Sequence, residues 1–228
     1  MARKPVNIAL TLVFQTPPSI AAAGAFGSLA DRVVERNALE QFIIPGSQVK
    51  GKVRHACEQL MRALGQRICT APRAATMCPN PPGTDPPCPN CRVFGSPALR
   101  SAVHFSDLVW EEGSSAPGDE PVTPALRAMI GINRRRATVA EGRLFLVETA
   151  PYFRAQRFSN AAAITGNLDS EAQVKLLLAG LRLILAWGGM KSRGLGWIAR
   201  VEAVATWDGS PVQTTDWQEV MQLWSDTE

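Results

Sequence analysis

The sequence predicts an α+β fold, on three observations. Apolar residues alternate near the N-terminus, they return every three or four positions in two internal stretches, and they alternate again near residue 200. With 228 residues, 46% of them hydrophobic, the chain can bury a core as one domain, or as one domain carrying a large insertion.

The first element is a strand from Val6 to Phe14, where Val6, Ile8, Leu10, Leu12 and Phe14 alternate with other residues. Residues 15 to 42 are Ala- and Gly-rich, then charged, without a sustained period, and are expected as a loop lying across a surface. "FIIPGSQVKGKVRH" then reads as strand, tight turn and helix. Ser47 is the expected N-cap, and Val49, Val53, Ala56, Cys57, Leu60 and Leu64 form the apolar stripe.

Residues 67 to 100 hold four of the five cysteines and eight of the seventeen prolines, a composition that disfavours a regular helix or a central strand. An insertion held together by something other than a core is expected there. "SAVHFSDLVW" (101–110) and "GRLFLVETA" (142–150) read as strands, separated by an acidic Gly/Pro/Ser-rich stretch and the basic run "GINRRRA".

Ser170 starts a second helix with Gln173 in capping-box position. Its apolar residues Val174, Leu177, Leu178, Leu181 and Leu185 carry it to Trp187, before Gly188 and Gly189. A last strand runs from Trp197 to Trp207, and Trp217, Val220, Met221 and Trp224 mark a packing helix in the tail. The order strand, helix, strand, strand, helix, strand is the ferredoxin-like plan.

Net charge is +4, with 24 basic residues, of which nineteen are Arg. Arginine's planar fork suits phosphate, although a GC-rich genome accounts for the same composition. The apolar runs are shorter than a membrane span, and "MARKPVNIAL" lacks the features of a secretory leader, so a cytoplasmic protein without membrane partners is expected. An odd number of cysteines in such a chain argues for metal or free thiols over a disulfide framework.

Three motifs carry chemistry. In the first, the helix N-terminus after Pro45 offers unpaired N–H groups, and Lys50 and Arg54 stand four apart on one face; a capped helix with a solvated basic face accounts for the same residues. In the second, "WGGMKSRGLGW" (187–197), four glycines let backbone approach a ligand while Lys191, Ser192 and Arg193 supply donors, and the Walker order is absent. In the third, Cys69, Cys78, Cys88 and Cys91 are separated by eight, nine and two residues, and the C-P-N-C pair has the geometry of a zinc knuckle. The first ligand is Cys69 or one of His55, Cys57 and His104; His55 also reads as a surface or core histidine and Cys57 as a small apolar filler. Asp31, beside two arginines, reads from physics alone as a solvated ion pair.

Together these residues resemble the RAMP superfamily, and more narrowly the backbone subunit of type III CRISPR effector complexes. "IIPGSQVKGKVR" is similar to that family's Pro-Gly-Ser-Ser-x-Lys-Gly-x-x-Arg motif and "CPNCRVFG" to its cysteine knuckle followed by Phe-Gly. "GINRRRATVAEGRLFLVE" resembles the stem of its thumb, and "GGMKSRGLG" its C-terminal glycine-rich loop. Gln48 stands where the pattern has a second serine, and the glycine-rich segment after the first strand appears as "AAAGAFGSLA".

The resemblance implies a single domain over 1–228: a modified ferredoxin-like (RRM-like) palm, a zinc-binding insertion at 67–100 and a thumb-like insertion at 111–165. It implies CRISPR RNA (crRNA) held by Ser47, Lys50, Lys52, Arg54, Arg134, Arg135, Lys191, Ser192 and Arg193, and target RNA paired to that guide. It further implies cleavage of the target with Asp31 as the catalytic residue and Mg2+ or Mn2+ as cofactor, alongside structural Zn2+. Further copies of this chain or related subunits, a large polymerase/cyclase-like subunit and a small helical subunit are the implied protein partners. Two other readings compete: a RAMP subunit that binds guide and cuts nothing, and a stand-alone zinc-containing RNA-binding module. Paired-histidine ribonuclease chemistry is hard to build with only His55 and His104.

Overall fold

A computed structural model describes residues 3–21, 30–71, 73–79, 87–111, 125–150 and 156–212. The tail expected as a packing helix, most of "AAAGAFGSLA" and the acidic stretch after Glu111 lie outside the described residues. In chain order the elements are β1 (Lys4–Phe14), β2 (Ile43–Ile44), α1 (Gly46–Ala63), α2 (Pro89–Phe94), β3 (Val103–Phe105) and β4 (Leu108–Trp110). There follow β5 (Ala125–Asn133), β6 (Thr138–Thr149), β7 (Gln156–Leu168), α3 (Glu171–Arg182), β8 (Ile198–Trp207) and β9 (Ser210–Val212).

Among the described residues, seven strands form one antiparallel sheet in the order β2-β4-β7-β1-β8-β9, with β3 also on β7. β1 lies at the centre because its alternation is real: Val6, Ile8, Leu10, Leu12 and Phe14 are all buried. They share a core with Val49, Val53, Cys57 and Met61 of α1 and Val174, Leu177, Leu178 and Leu181 of α3. The two helices meet where Gly180 faces Cys57; a Cβ on Gly180 would lie 2.5 Å from the sulfur. The Cys57 thiol bonds the Leu176 carbonyl at 3.5 Å, and burial raises its pKa, as fits an inert packing group. No described helix is long and apolar enough to cross a membrane.

Several expectations are corrected. The central partner of β1 is β7, which the sequence does not announce, whereas 142–150 pairs with β5 in a separate two-stranded hairpin. The expected insertion at 111–165 therefore narrows, among described residues, to the hairpin, because β7 from Gln156 onward belongs to the main sheet. The 101–110 segment is two short strands. Pro89 opens a short helix inside the Cys/Pro-rich segment, where its missing N–H costs nothing. α3 ends at Arg182, not Trp187; Ser170 is its N-cap, but Gln173 Oε1 accepts from the Asp169 amide at 2.9 Å and no capping box forms.

The hairpin has two unlike faces. Met129 and Val147 are buried with Leu195, while Leu126, Ile130, Ile132 and Leu144 stand exposed.

Candidate nucleic-acid interface and metal centre

α1 begins where its chain passes the strand-like segment 103–107. Gly46 is required: a Cβ there would lie 2.2 Å from the Phe105 carbonyl oxygen. Ser47 is not the cap. Pro45 is the N-cap, no side chain caps from within the motif, and Asp107 accepts the Gly46 N–H through Oδ1 at 2.7 Å. The anion at the tip of α1 is thus a carboxylate of this chain, stabilised by the helix dipole. Side chains along the helix, not its tip, remain for an outside ligand.

Those side chains divide sharply. Lys52 Nζ donates to the Ala186 carbonyl at 3.1 Å and sits 5.7 Å from the Trp187 ring, joining α1 to the 187–197 segment. Burial, then the neighbouring Lys191 ammonium, hold its pKa below the ordinary lysine value. Lys50 is lowered too, by burial and then by Arg54. Among the described residues no carboxylate pairs with Lys50, Lys52 or Lys191. Two ammonium groups pressed together without a counter-ion form a place where an added anion is favoured. Arg54 is different. Its guanidinium donates to Glu58 Oε1 at 3.0 Å, to the Gly95 carbonyl at 3.1 Å and to Cys91 Sγ at 3.8 Å.

Lys191, Ser192 and Arg193 form one exposed 3-10 turn between left-handed Met190 and Gly194. Two of the four glycines serve the fold and not a ligand: Cβ atoms on Gly188 and Gly196 would strike the Ser19 and Trp187 carbonyls. Gly194 is open. Arg193 donates to the Ile130 carbonyl at 3.3 Å and lies 5.5 Å from the Phe145 ring, so the turn rests on the hairpin. Ser47 is exposed on the first turn of α1. Arg134 and Arg135 are exposed in the turn joining β5 to β6, fixed by Asn133 Oδ1 accepting the Arg135 and Arg136 amides.

Asp31 lies against β6. Its amide donates to the Leu146 carbonyl at 2.9 Å, and its Oδ2 accepts the Leu146 N–H at 2.7 Å. Nearby, Glu148 accepts the Val34 N–H at 2.8 Å and the Arg36 guanidinium at 2.9 Å, clamping the loop to the hairpin. An Arg32 nitrogen is 4.0 Å from where a Cβ of Gly189 would stand, so loop, hairpin and glycine-rich segment adjoin. Asp107 and Glu148, invisible as site residues in the sequence, are what hold these pieces in place; each acts across 61 or more positions, leaving no local signal.

The cysteines converge. The sulfur atoms of Cys69, Cys78, Cys88 and Cys91 all lie within 4.8 Å of one another, with Cys69–Cys91 at 3.3 Å and Cys88–Cys69 at 3.7 Å. Sulfurs on a tetrahedral zinc ion stand about 3.8 Å apart, so the donor set fits that ion. A hydrogen bond from Cys91 pulls Cys88 down to about 4, while the same bond raises Cys91. His55 and His104 are exposed on α1 and β3, and none of His55, Cys57 and His104 belongs to the four-sulfur group.

A family model described as the RAMP superfamily matches residues 11–199. No curated protein sequence matches the chain. Among solved structures, a chain of the cryo-EM structure of the type III-B Cmr-β bound to cognate target RNA is similar, with TM-score 0.56 and 16% identity over 88% of the present chain. At that identity the likeness is one of fold, and the match covers 61% of the length of that chain.

Proposed function

The chain belongs to the RAMP superfamily, and on that premise we propose that it is a backbone subunit of a type III CRISPR ribonucleoprotein, binding crRNA and cutting the target RNA paired to it. The carrying observation is the meeting of Lys52 from α1 with Lys191 and the 187–197 segment, beside a hairpin that also holds Asp31. The neighbour order β4-β7-β1-β8, with α1 and α3 sharing a core with β1, supports the modified ferredoxin-like palm; the β5–β6 hairpin is its thumb. The exposed apolar row Leu126, Ile130, Ile132 and Leu144 suits packing against further copies or related subunits. The large polymerase/cyclase-like and small helical subunits complete the proposed assembly.

Guide binding is sequence-independent in this reading, through phosphates and 2′-hydroxyls met by Ser47, Lys50, Lys52, Lys191, Ser192, Arg193, Arg134 and Arg135. For cleavage, the target's own 2′-hydroxyl attacks the adjacent phosphorus, giving a cyclic phosphate and a 5′-hydroxyl. The Leu146 amide orients the Asp31 carboxylate through Oδ2, leaving the other oxygen to take the 2′-hydroxyl proton. In this reading the lysine ammonium groups of α1 and the 187–197 segment offset charge growing on phosphate. Alternatively that Asp31 oxygen would hold Mg2+ or Mn2+, which would supply charge neutralisation for the reaction. Zn2+ on Cys69, Cys78, Cys88 and Cys91 is structural, ordering a Pro-rich segment with little apolar core of its own.

One observation favours a guide-holding subunit that does not cut: Asp31 Oδ2 already serves the hairpin backbone. The Asp31→Ala variant separates the two readings in the assembled complex. We expect guide and target binding to persist while target cleavage falls about 100-fold or more; cutting at the wild-type rate refutes the catalytic role.

A further inference from the structure

Arg54 stands in the basic motif of α1, yet its guanidinium is engaged by groups of the chain itself. Its side chain is 19% exposed and donates in three directions, to Glu58 on its own helix and to Gly95 and Cys91 on the segment carrying the cysteine pair. Glu58, 10% exposed in its side chain, accepts from Asn90 through the same oxygen, Nδ2 to Oε1 at 3.0 Å. Asn90 lies between Cys88 and Cys91 and is 1% exposed. One carboxylate oxygen thus binds an arginine from the helix and an amide from the knuckle.

We infer that Arg54 is a positioning residue that locks the four-cysteine centre onto α1, and that it does not grip nucleic acid. A zinc ion bound by four thiolates carries excess negative charge in a half-buried place, and N–H donors to those sulfurs stabilise the charged form. Arg54 supplies such a donor to Cys91 while Glu58 neutralises the guanidinium. A lysine keeps the charge but has no planar fork to span Glu58, Gly95 and Cys91 at once. The inference rests on the zinc reading above and is independent of whether target RNA is cut.

The test uses the full chain purified with zinc, measuring metal content, zinc transfer to a chromophoric chelator, and the salt dependence of binding to single-stranded RNA of guide length. Arg54→Lys, Arg54→Met and Glu58→Gln are each expected to lose zinc about tenfold more readily, the scale seen for partners of metal ligands. Arg54→Met is expected to keep the wild-type salt slope. Wild-type zinc retention in Arg54→Lys and Glu58→Gln overturns the inference. So does a salt slope lowered by about 0.7 in Arg54→Met, the mark of one lost phosphate contact on a single strand. If an arginine variant fails to fold, Glu58→Gln alone decides through zinc retention. A wild-type chain without zinc overturns the metal reading and this inference together, leaving the RNA-binding proposal to its own test.

Discussion

Arg54 and Lys191 belong to the two basic motifs of the chain, and the fold uses them in opposite ways. Arg54 is enclosed, its donors directed to a carboxylate, a carbonyl and a thiol. Lys191 is exposed on a single turn beside another ammonium, with no carboxylate paired to it among the described residues. Only the cation without a carboxylate partner keeps its full charge for an outside anion. A cation neutralised by an internal carboxylate is part of the scaffold.

Glu58→Ala leaves the Arg54 charge enclosed without its carboxylate, and we expect a loss of about 3 kcal/mol in stability, read from the denaturant midpoint at unchanged slope. A loss below about 1 kcal/mol, typical of a surface pair, places Arg54 among the free cations after all. A smaller effect is expected at the other end of the helix. Asp107→Ala removes the carboxylate at the α1 tip and costs about 1 kcal/mol. If Asp107→Ala instead strengthens RNA binding markedly, the tip itself is an anion site that the carboxylate was blocking. The smallest effect belongs to Lys4→Ala, whose pair with Asp208 is half exposed on both sides; a change within about 0.5 kcal/mol is expected.

What was legible in the sequence follows from the same distinction between local and distant causes. β1, α1 and β8 show their periods because one face of each meets the core or a neighbour within a regular repeat. β7 hides because a register shift against β1 between Ile8 and Leu10 breaks its alternation. Its buried positions also include the small Ala163. Without that strand in view, 142–150 takes the vacant place in the plan, although its partner is β5. Leu185 extended the apparent helix by pattern alone, and it is exposed beyond the helix end.

The cysteine group is legible because its four members lie within one short segment, at a spacing that suits a shared tetrahedral ion. Glu58, four residues after Arg54, is a local signal, but the other partners of Lys52 and Arg54 come from residues 186, 191, 91 and 95, which only the fold brings near. Asp31 stands out in the sequence by resemblance alone, and nothing in its own neighbourhood of sequence foretells Leu146 as its partner.

In the proposed interface α1 and the 191–193 turn hold one RNA strand together, and the salt dependence of single-stranded RNA binding in Lys50→Ala, Lys191→Ala and their double variant decides it. Each single change is predicted to lower the slope by about 0.7 and the double by about 1.4, with folding unchanged. A double variant that keeps the wild-type slope would contradict the account.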